Sequence, residues 1–118
     1  MSTIPPEYDL GDDEREALAR LADTEEVSAA VDTFKALTDP LRIAVLRMLS
    51  EGPICVCVLV ELLDVEYSNL SYHLGILRDA GLVATERDGN FAEYRLTERG
   101  RQATTILEGV LEGDGGSA

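Results

Sequence analysis

The sequence lacks tryptophan and contains one histidine and two cysteines among 118 residues. Two cysteines separated by one residue exclude the disulfide framework of small secreted domains, and the spacing of a zinc ribbon is absent. No run approaches the roughly 18 apolar residues of a membrane-spanning helix, and no charged-then-apolar leader is found. We therefore expect a soluble, cytoplasmic protein that has no membrane partner and keeps its thiols reduced.

The motifs of the common enzyme classes are also missing. The sequence shows no Ser/His/Asp arrangement for nucleophilic catalysis, no carboxylate pair in a glycine-rich frame and no phosphate-binding loop. It therefore predicts a protein that is not an enzyme and has no obligatory cofactor.

Positive charge is scarce, since the net charge is −13 and a single lysine, Lys35, accompanies nine arginines. Residues 1–32 carry ten acidic residues and two arginines, a net charge of −8, whereas residues 33–102 carry ten acidic and eight basic residues, a net charge of −2. This acid-rich, lysine-poor composition resembles that of halophilic proteins from salt-loving archaea. In molar salt the counterion release that basic surfaces exploit is largely lost, so acidity does not exclude DNA binding. The alternative is a protein-interaction module without DNA binding.

Residues 54–81 have the pattern of two short helices separated by a polar turn. In both helices, apolar residues recur at the i, i+3, i+4 spacing of a buried face. They are Val58, Leu59, Leu62 and Leu63 in the first helix and Leu70, Leu74 and Leu77 in the second. Ser68, Ser71, Tyr72 and Gly75 share the outward face of the second helix. Small hydrogen-bonding side chains at the start of that helix are typical of the recognition helix of a helix-turn-helix.

Residues 82–96 have the pattern of a β-hairpin with its tip at Asp88-Gly89-Asn90. A helix-turn-helix that is followed directly by a hairpin is a winged helix. Further helices are predicted at residues 12–22, 27–38 and 40–50, and a last one from residue 97. The predicted fold class is therefore mainly α (α+β), a winged helix-turn-helix with a two-stranded hairpin wing.

Cap residues mark the predicted helix ends. Asp12 or Asp13 is expected to cap the helix at 12–22, and Asp39 the helix at 40–50. Gly81 is placed to end the recognition helix in a left-handed conformation. Thr97 is expected to cap the last helix.

The chain is predicted to hold one winged-helix domain, residues 12–112, between a flexible N-terminus at residues 1–11 and a disordered tail at residues 113–118. The terminal helices, at 12–22 and 97–111, have apolar stripes without an obvious partner in a minimal winged helix. We therefore expect them to form the interface of a homodimer that binds a palindromic operator in double-stranded DNA. The alternative is that both helices fold back on their own core.

Four segments occur in one unbroken order: residues 34–42 (FKALTDPLR), 54–59 (ICVCVL), 68–83 (SNLSYHLGILRDAGLV) and 94–97 (YRLT). Together they resemble the ArsR/SmtB family of winged-helix metalloregulatory repressors. The resemblance implies a homodimeric repressor that leaves its operator when a toxic metal or metalloid binds. In the arsenic-sensing members the ligands lie in a Cys-Val-Cys segment before the recognition helix, where Cys55 and Cys57 stand here. It therefore implies As(III) or Sb(III) as the inducer.

The sequence departs from the arsenic-sensing pattern after the cysteine pair. Val58-Leu59-Val60 stands where that pattern often continues Asp-Leu-Cys, so the third thiol is missing. The last helix has no histidine, so the inter-subunit zinc site of other members is not available. Alternatives for the pair are another thiophilic metal, oxidation to a disulfide, or inert packing of two small side chains.

Cys55 and Cys57 are predicted to lie at the start of a helix, just after Pro53. Residues i and i+2 on a helix project about 200° apart, so one ion cannot join both sulfurs without distorting the first turn. The helix dipole favours thiolates at this end. Because this turn is predicted to pack against the recognition helix, a bound metalloid would change the DNA-binding geometry.

The candidate DNA contacts come from the recognition helix and the wing. They are Ser68, Asn69, Ser71, Tyr72, His73, Arg87 and Arg95. The residues from the first turns of the helix are expected at base edges and phosphates. Arg87 and Arg95, in the wing, suit contacts to the DNA backbone or the minor groove. His73 is interpreted as a helix-edge residue that bonds backbone or phosphate.

Overall fold

A computed structural model of the chain describes residues 3–116, which form six α-helices and three β-strands. In chain order, after a 3₁₀ turn at Pro6–Tyr8, these are α1 (Asp12–Leu21), α2 (Thr24–Ala36), α3 (Pro40–Leu49), β1 (Ile54–Cys55), α4 (Val56–Leu63), α5 (Tyr67–Asp79), β2 (Val83–Asp88), β3 (Phe91–Leu96) and α6 (Glu98–Gly116). The chain divides into two units, with the boundary after Asp32, inside α2. Within residues 3–116, no helix is long and apolar enough to cross a membrane.

The first unit contains α1, which begins without a side-chain cap. Gly11 occupies the cap position, and Asp12 and Asp13 already lie inside the first helical turn. The prediction of an aspartate cap is therefore wrong here, although both carboxylates still favour the positive end of the helix dipole. The flexibility of residues 1–11 remains a prediction, and residues 1 and 2 lie outside the described range.

α2 begins three residues before its predicted start because Asp23 caps it. The Oδ1 atom of Asp23 accepts hydrogen bonds from the backbone N–H groups of Glu25 and Glu26, at 2.9 and 3.2 Å. Such bonds satisfy N–H groups that have no partner within the helix. The sequence Asp-Thr-Glu-Glu therefore starts the helix earlier than its first apolar residue indicates.

A leucine-rich core holds the second unit together. Its most deeply buried side chains are Val45, Leu46, Leu59, Leu70, Leu74, Leu77 and Leu82. They come from α3, α4, α5 and the start of the hairpin, so the helix pair and the wing share one core. The buried stripe predicted for α5, at Leu70, Leu74 and Leu77, is confirmed.

The buried stripe predicted for α4 is wrong in part. Leu59 is fully buried, but Val58 is exposed and Leu62 is 65% exposed. The residues of α4 that meet the core are Val56, Leu59, Val60 and Leu63. That set also has helical spacing, so the periodicity of the sequence is compatible with burial of either of two faces of this apolar helix. Packing against the core determines which face is buried.

The wing has the predicted hairpin form, with β2 and β3 joined by the two-residue turn Gly89-Asn90. Gly89 has a φ of 65°, which the first position of a type II′ turn requires and which glycine adopts without steric penalty. The register pairs Val83 with Leu96 at the base of the wing.

A third strand, β1, adds to the predicted two-stranded wing and gives an antiparallel sheet in the order β1-β3-β2. In β1, Ile54 pairs with Tyr94 and Cys55 pairs with Glu93. Two residues are too few to show the alternation by which a strand is recognised in a sequence. The cysteine segment is therefore partly sheet and not wholly helix.

Gly81 ends α5 in a left-handed conformation, as predicted, with a φ of 76°. Its N–H donates to the carbonyl of Arg78 at 2.9 Å, and the N–H of Leu82 donates to the carbonyl of Leu77 at 3.0 Å. These are the paired bonds of a Schellman cap. The cap fixes the angle at which the wing leaves the recognition helix.

α6 continues to Gly116, beyond the predicted start of the disordered tail at residue 113. Each added helical residue gains one backbone hydrogen bond, so the backbone continues past the end of the apolar stripe. Ser117 and Ala118, the rest of the predicted tail, lie outside the described residues.

The apolar residues of α6 face two directions. Ala103 is buried and Leu107 packs against the core, whereas Ile106 and Val110 are exposed, Val110 by 68%. One part of the stripe thus folds back on its own unit. The other part is left uncovered.

Replacing Gly100 with alanine is expected to destabilise the fold by about 1–3 kcal/mol. Thr97 caps α6 by accepting the N–H of Gly100 at 3.0 Å, which draws this position against the wing. A Cβ at Gly100 would collide with the carbonyl oxygen of Leu82. Gly109→Ala is the matched control in the same helix, because nothing lies within 4 Å of its added Cβ. The control should be stabilised by about 0.5–1 kcal/mol.

Urea denaturation at molar salt measures both free energies of unfolding. Equal stabilities of the Gly100→Ala and Gly109→Ala variants would contradict the close contact between α6 and Leu82.

Candidate DNA-binding surface and thiol site

α4 and α5 are joined by a turn in which Asp64 has a left-handed φ of 52°. Aspartate is one of the few residues that adopt this conformation at little cost. The N–H of Val65 donates to the carbonyl of Val60 at 3.4 Å and closes the turn. Among the described side chains, none caps the start of α5. Its first N–H groups therefore remain available to solvent or to a phosphate.

The outward face of α5 carries the predicted polar residues. Ser68, Asn69 and Ser71 are exposed, and Tyr72 is 65% exposed. Tyr67 is similarly exposed at the first position of the helix and was missed, because a residue next to a turn contributes nothing to periodicity. The structure thus brings these side chains together on one surface. Their contacts with DNA remain a prediction.

His73 lies at the edge of α5 with only 12% of its side chain exposed. Its Nδ1 atom is 2.9 Å from a guanidinium nitrogen of Arg42. Because arginine has only donors, Nδ1 accepts this bond and the proton of the neutral ring is on Nε2. The ring also meets that of Tyr72 edge-on, with centroids 5.2 Å apart. The contact that His73 makes within the chain therefore holds α5 to α3, and its bond to DNA remains a prediction.

Asp39 caps α3 as predicted and belongs to the same polar network. Its Oδ1 atom accepts the N–H groups of Leu41 and Arg42 at 2.8 and 3.3 Å and lies 3.9 Å from Nδ1 of His73. Partial burial raises the pKa of this carboxyl group, but the backbone hydrogen bonds from Leu41 and Arg42 and the electrostatic influence of the nearby His73 and Arg42 side chains outweigh it, so the pKa of Asp39 is lowered. The ionised Asp39 carboxylate therefore stabilises the folded state at a pH above the ordinary pKa of an aspartate. This contribution to the free energy of unfolding is lost as the pH falls through the lowered pKa of Asp39.

Arg42 was not among the predicted functional residues. Besides His73, it donates to the carbonyl of Ala36 at 2.8 Å, so it joins the end of α2 to α3 and α5. Arg42 and His73 are 31 positions apart in the sequence, and only the fold brings them together.

The two wing arginines lie on opposite faces of the sheet. Arg95 pairs across the strands with Ala84, and Arg87 pairs with Ala92, three positions away along each strand. Because side chains alternate between the two faces of a sheet, an odd separation places the two arginines on opposite faces. Arg95 forms an ion pair with Glu86 at 3.2 Å, in which both side chains are largely exposed. Arg87 lies next to the strand end at the wing tip and is exposed. Of the two, Arg87 is therefore better placed for a phosphate.

Cys55 and Cys57 are joined as a disulfide, with their Cα atoms 5.2 Å apart. Cys55 is the last residue of β1 and the cap residue of α4, and its sulfur accepts the N–H of Cys57 at 3.3 Å. The pair therefore lies at the start of the helix, as predicted, with Cys57 on α4, but the prediction that the two side chains project in opposite directions is wrong. The extended backbone of Cys55 turns its side chain towards Cys57, so the two sulfurs meet without distortion of the helix.

The cysteine pair lies against the wing. Cys55 and Cys57, together with Phe91 and Glu93 of β3, line an open cavity of about 300 Å³. β1 pairs with β3 and places the pair at the sheet, a neighbour that the sequence did not predict, while the packing of this turn against the recognition helix remains a prediction. Across the described residues, no group of three or more His, Cys, Asp or Glu side chains is set to hold a metal ion. The cavity could have been predicted only from the pairing of Cys55 with Glu93 across the strands, and the sequence pattern does not reveal that pairing.

The profile of the bacterial regulatory protein, arsR family, matches residues 39–85, from the start of α3 into β2. The ArsR protein of Halobacterium salinarum is 35% identical over 99 residues, which cover 82% of this chain and 77% of that protein. The chain belongs to the ArsR family. The arsenical resistance operon repressor of Bacillus subtilis is 44% identical to this ArsR-family protein over 66 residues, 55% of the chain and 63% of the relative.

The crystal structure of the transcriptional repressor BigR from Xylella fastidiosa superimposes on this ArsR-family protein with a TM-score of 0.66. The two are 29% identical, and the match covers 77% of this chain and 94% of the other. The predicted winged-helix fold is confirmed. The protein is a DNA-binding transcriptional regulator and not an enzyme, as the sequence predicts.

Proposed function

We propose that this ArsR-family protein is a homodimeric, cytoplasmic repressor that leaves a palindromic operator when As(III) or Sb(III) binds Cys55 and Cys57. The observation that carries the proposal is the convergence of the two sulfur atoms, which Cys55 achieves by preceding α4 in extended conformation. A pair of thiols that can meet each other can also bind one soft centre between them. The B. subtilis relative, an arsenical resistance operon repressor, supports the choice of metalloid.

The binding form is the dithiol, which a dithiol reductant yields by thiol–disulfide exchange: the Cys55–Cys57 bond breaks, the reductant becomes the disulfide, and its two protons end on the two cysteines. Arsenite in water is As(OH)₃. Two As–S bonds form and two As–OH bonds break, and each hydroxyl leaves as water with the proton of one thiol. Arsenic remains trivalent and keeps one hydroxyl group, since the chain offers no third thiol.

The effect of metalloid binding is transmitted to the DNA-binding surface through the junction of the wing and α4. Cys55 belongs to β1, which pairs with β3, whereas Cys57 belongs to α4 of the helix-turn-helix. A metalloid held between the two sulfurs fixes the angle between the sheet and α4 at their junction. The operator then binds only at the cost of straining this junction, so its affinity falls.

The experiment that tests this function measures operator affinity in molar potassium chloride. The probe is a duplex that the purified protein selects from a random pool. We expect reduced protein to release the duplex when arsenite is added, while ultraviolet absorbance reports new thiolate–arsenic bonds. Failure to select any duplex would contradict the repressor function and favour an acidic module that binds proteins.

Thiol oxidation is the second candidate signal, and the disulfide between Cys55 and Cys57 favours it. A mild oxidant would then release the duplex, and a dithiol reductant would restore binding. Release by oxidant without any response of the reduced protein to arsenite assigns the switch to redox chemistry. Another thiophilic metal remains a further alternative, which the same absorbance titration would detect.

Tyr72→Ala is expected to weaken binding to the selected duplex by about 1–3 kcal/mol if the ring contacts a base. Tyr72 is exposed on the outward face of α5, so its removal leaves the core unchanged. Tyr8→Ala is the matched control, since Tyr8 is at least as exposed as Tyr72 but lies outside the helix-turn-helix. Fluorescence anisotropy measures both affinities. Equal affinities of the two variants would contradict the assignment of α5 as the recognition helix.

A further inference from the structure

One row of side chains crosses the sheet beside the thiols. Glu93 pairs across the strands with Cys55 on one side and with Glu86 on the other, so the three side chains share one face. Glu86 is neutralised by Arg95 at 3.2 Å. Within the described part of the chain, Glu93 forms no ion pair and no side-chain hydrogen bond, although it lines the cavity with both cysteines. Of these two carboxylates, Glu93 is therefore the one that is available to contact a ligand bound at the sulfurs.

We propose that Glu93 is the specificity-determining residue of the thiol site, because its carboxylate accepts a hydrogen bond from the hydroxyl group that stays on dithiol-bound As(III). This inference rests on the function proposed above. It supplies the third contact that a two-thiol site lacks. The carboxylate does not replace the hydroxyl, so the balance is unchanged: two As–S bonds form, two As–OH bonds break and two waters leave.

The chemistry of the cavity favours this role over direct coordination. A carboxylate is a hard ligand and As(III) is a soft centre, so a bond from Glu93 to arsenic competes poorly with water. A hydrogen bond from an As–OH group to a carboxylate is charge-assisted and has no such mismatch. The ring of Phe91 lines the same cavity and offers no donor or acceptor. Glu93 is thus the polar group of the cavity besides the sulfurs.

The inference separates two classes of arsenical. Arsenite keeps a hydroxyl after it binds two thiols, whereas phenylarsine oxide binds two thiols and carries a phenyl group in the third position. Only arsenite can then donate a hydrogen bond to Glu93. We therefore expect Glu93 to raise the affinity for arsenite and to leave the affinity for phenylarsine oxide unchanged.

The experiment uses the full chain, reduced and free of oxygen, in molar potassium chloride. Glu93→Ala should bind arsenite about tenfold more weakly than the unmodified protein, the loss expected for one charge-assisted hydrogen bond at an exposed site. Glu93→Gln should lie between them, since the amide keeps a neutral acceptor. Binding of phenylarsine oxide should be the same in all three. This second probe also shows that each variant is folded with both thiols in place.

Glu86→Ala is the matched control, because it removes the neighbouring carboxylate of the same row, one strand further from the thiols. It should bind both arsenicals as the unmodified protein does. Equal or tighter arsenite binding by Glu93→Ala would overturn the inference, and tighter binding would show that Glu93 acts only as a negative charge against the thiolates. Absence of arsenite binding by the unmodified protein would instead overturn the proposed function itself.

Discussion

Cys55→Ser and Cys57→Ser are each expected to abolish the release of operator DNA by arsenite while leaving DNA affinity nearly unchanged. A hydroxyl is a poor ligand for a soft centre, and these are the chain's only two cysteines, so no neighbouring thiol can replace either. The fold should tolerate both changes. Cys57 is exposed, and Cys55 is the cap residue of α4, a position that serine prefers. Stability should therefore stay within about 1 kcal/mol of the unmodified protein.

Operator anisotropy with increasing arsenite measures this result, and urea denaturation measures stability. Val58→Ser is the matched control, because it places serine on the exposed face of α4 next to the pair and keeps both sulfurs. The control should respond to arsenite as the unmodified protein does. If either cysteine variant still releases DNA, the thiols are not the sensor. Loss of both folding and DNA binding would mean that the cysteines serve only as packing residues.

Val110→Glu is expected to convert a dimer into a monomer and to reduce operator affinity by at least about a hundredfold, since a palindromic site is then bound through one half at a time. Val110 is 68% exposed on α6, and Ile106, one turn earlier, is exposed beside it. A charge there would have to be buried without a partner in a symmetric interface. Leu107 is unsuitable for this test because it packs against the core of its own unit.

Sedimentation at molar salt measures the assembly. Thr105→Glu adds the same charge to an exposed position of the same helix, away from Val110, and should remain dimeric. A monomeric unmodified protein would contradict the predicted interface directly. Low salt is a poor condition for this test, because the acidic N-terminal segment then repels itself without screening.

The features that the sequence predicted correctly are local ones. Asp39, Gly81 and Thr97 each fix a helix end through hydrogen bonds to residues a few positions away. Their role can therefore be predicted from a short segment of the sequence. The stripe of α5 was equally clear, because polar residues separate its leucines. These elements define the helix-turn-helix and the base of the wing, and with them most of the fold.

The features that the sequence did not predict depend on partners far along the chain. α4 is apolar on nearly every side, so only packing could decide that Leu62 is exposed. β1 exists because β3 lies beside it, almost forty residues later. The position of Glu93 beside Cys55 follows from that pairing, as does the location of the thiols at the wing. Periodicity cannot report such contacts.

The position of Cys55, shared between the last residue of β1 and the cap of α4, has a thermodynamic consequence. If a metalloid on its sulfur lowers operator affinity by some factor, linkage requires bound operator to lower metalloid affinity by the same factor. A repressor that is bound to its operator then binds arsenite only at a higher arsenite concentration than a repressor that is free in solution. The copy number of the protein relative to its operators would therefore set the concentration at which the controlled genes are switched on.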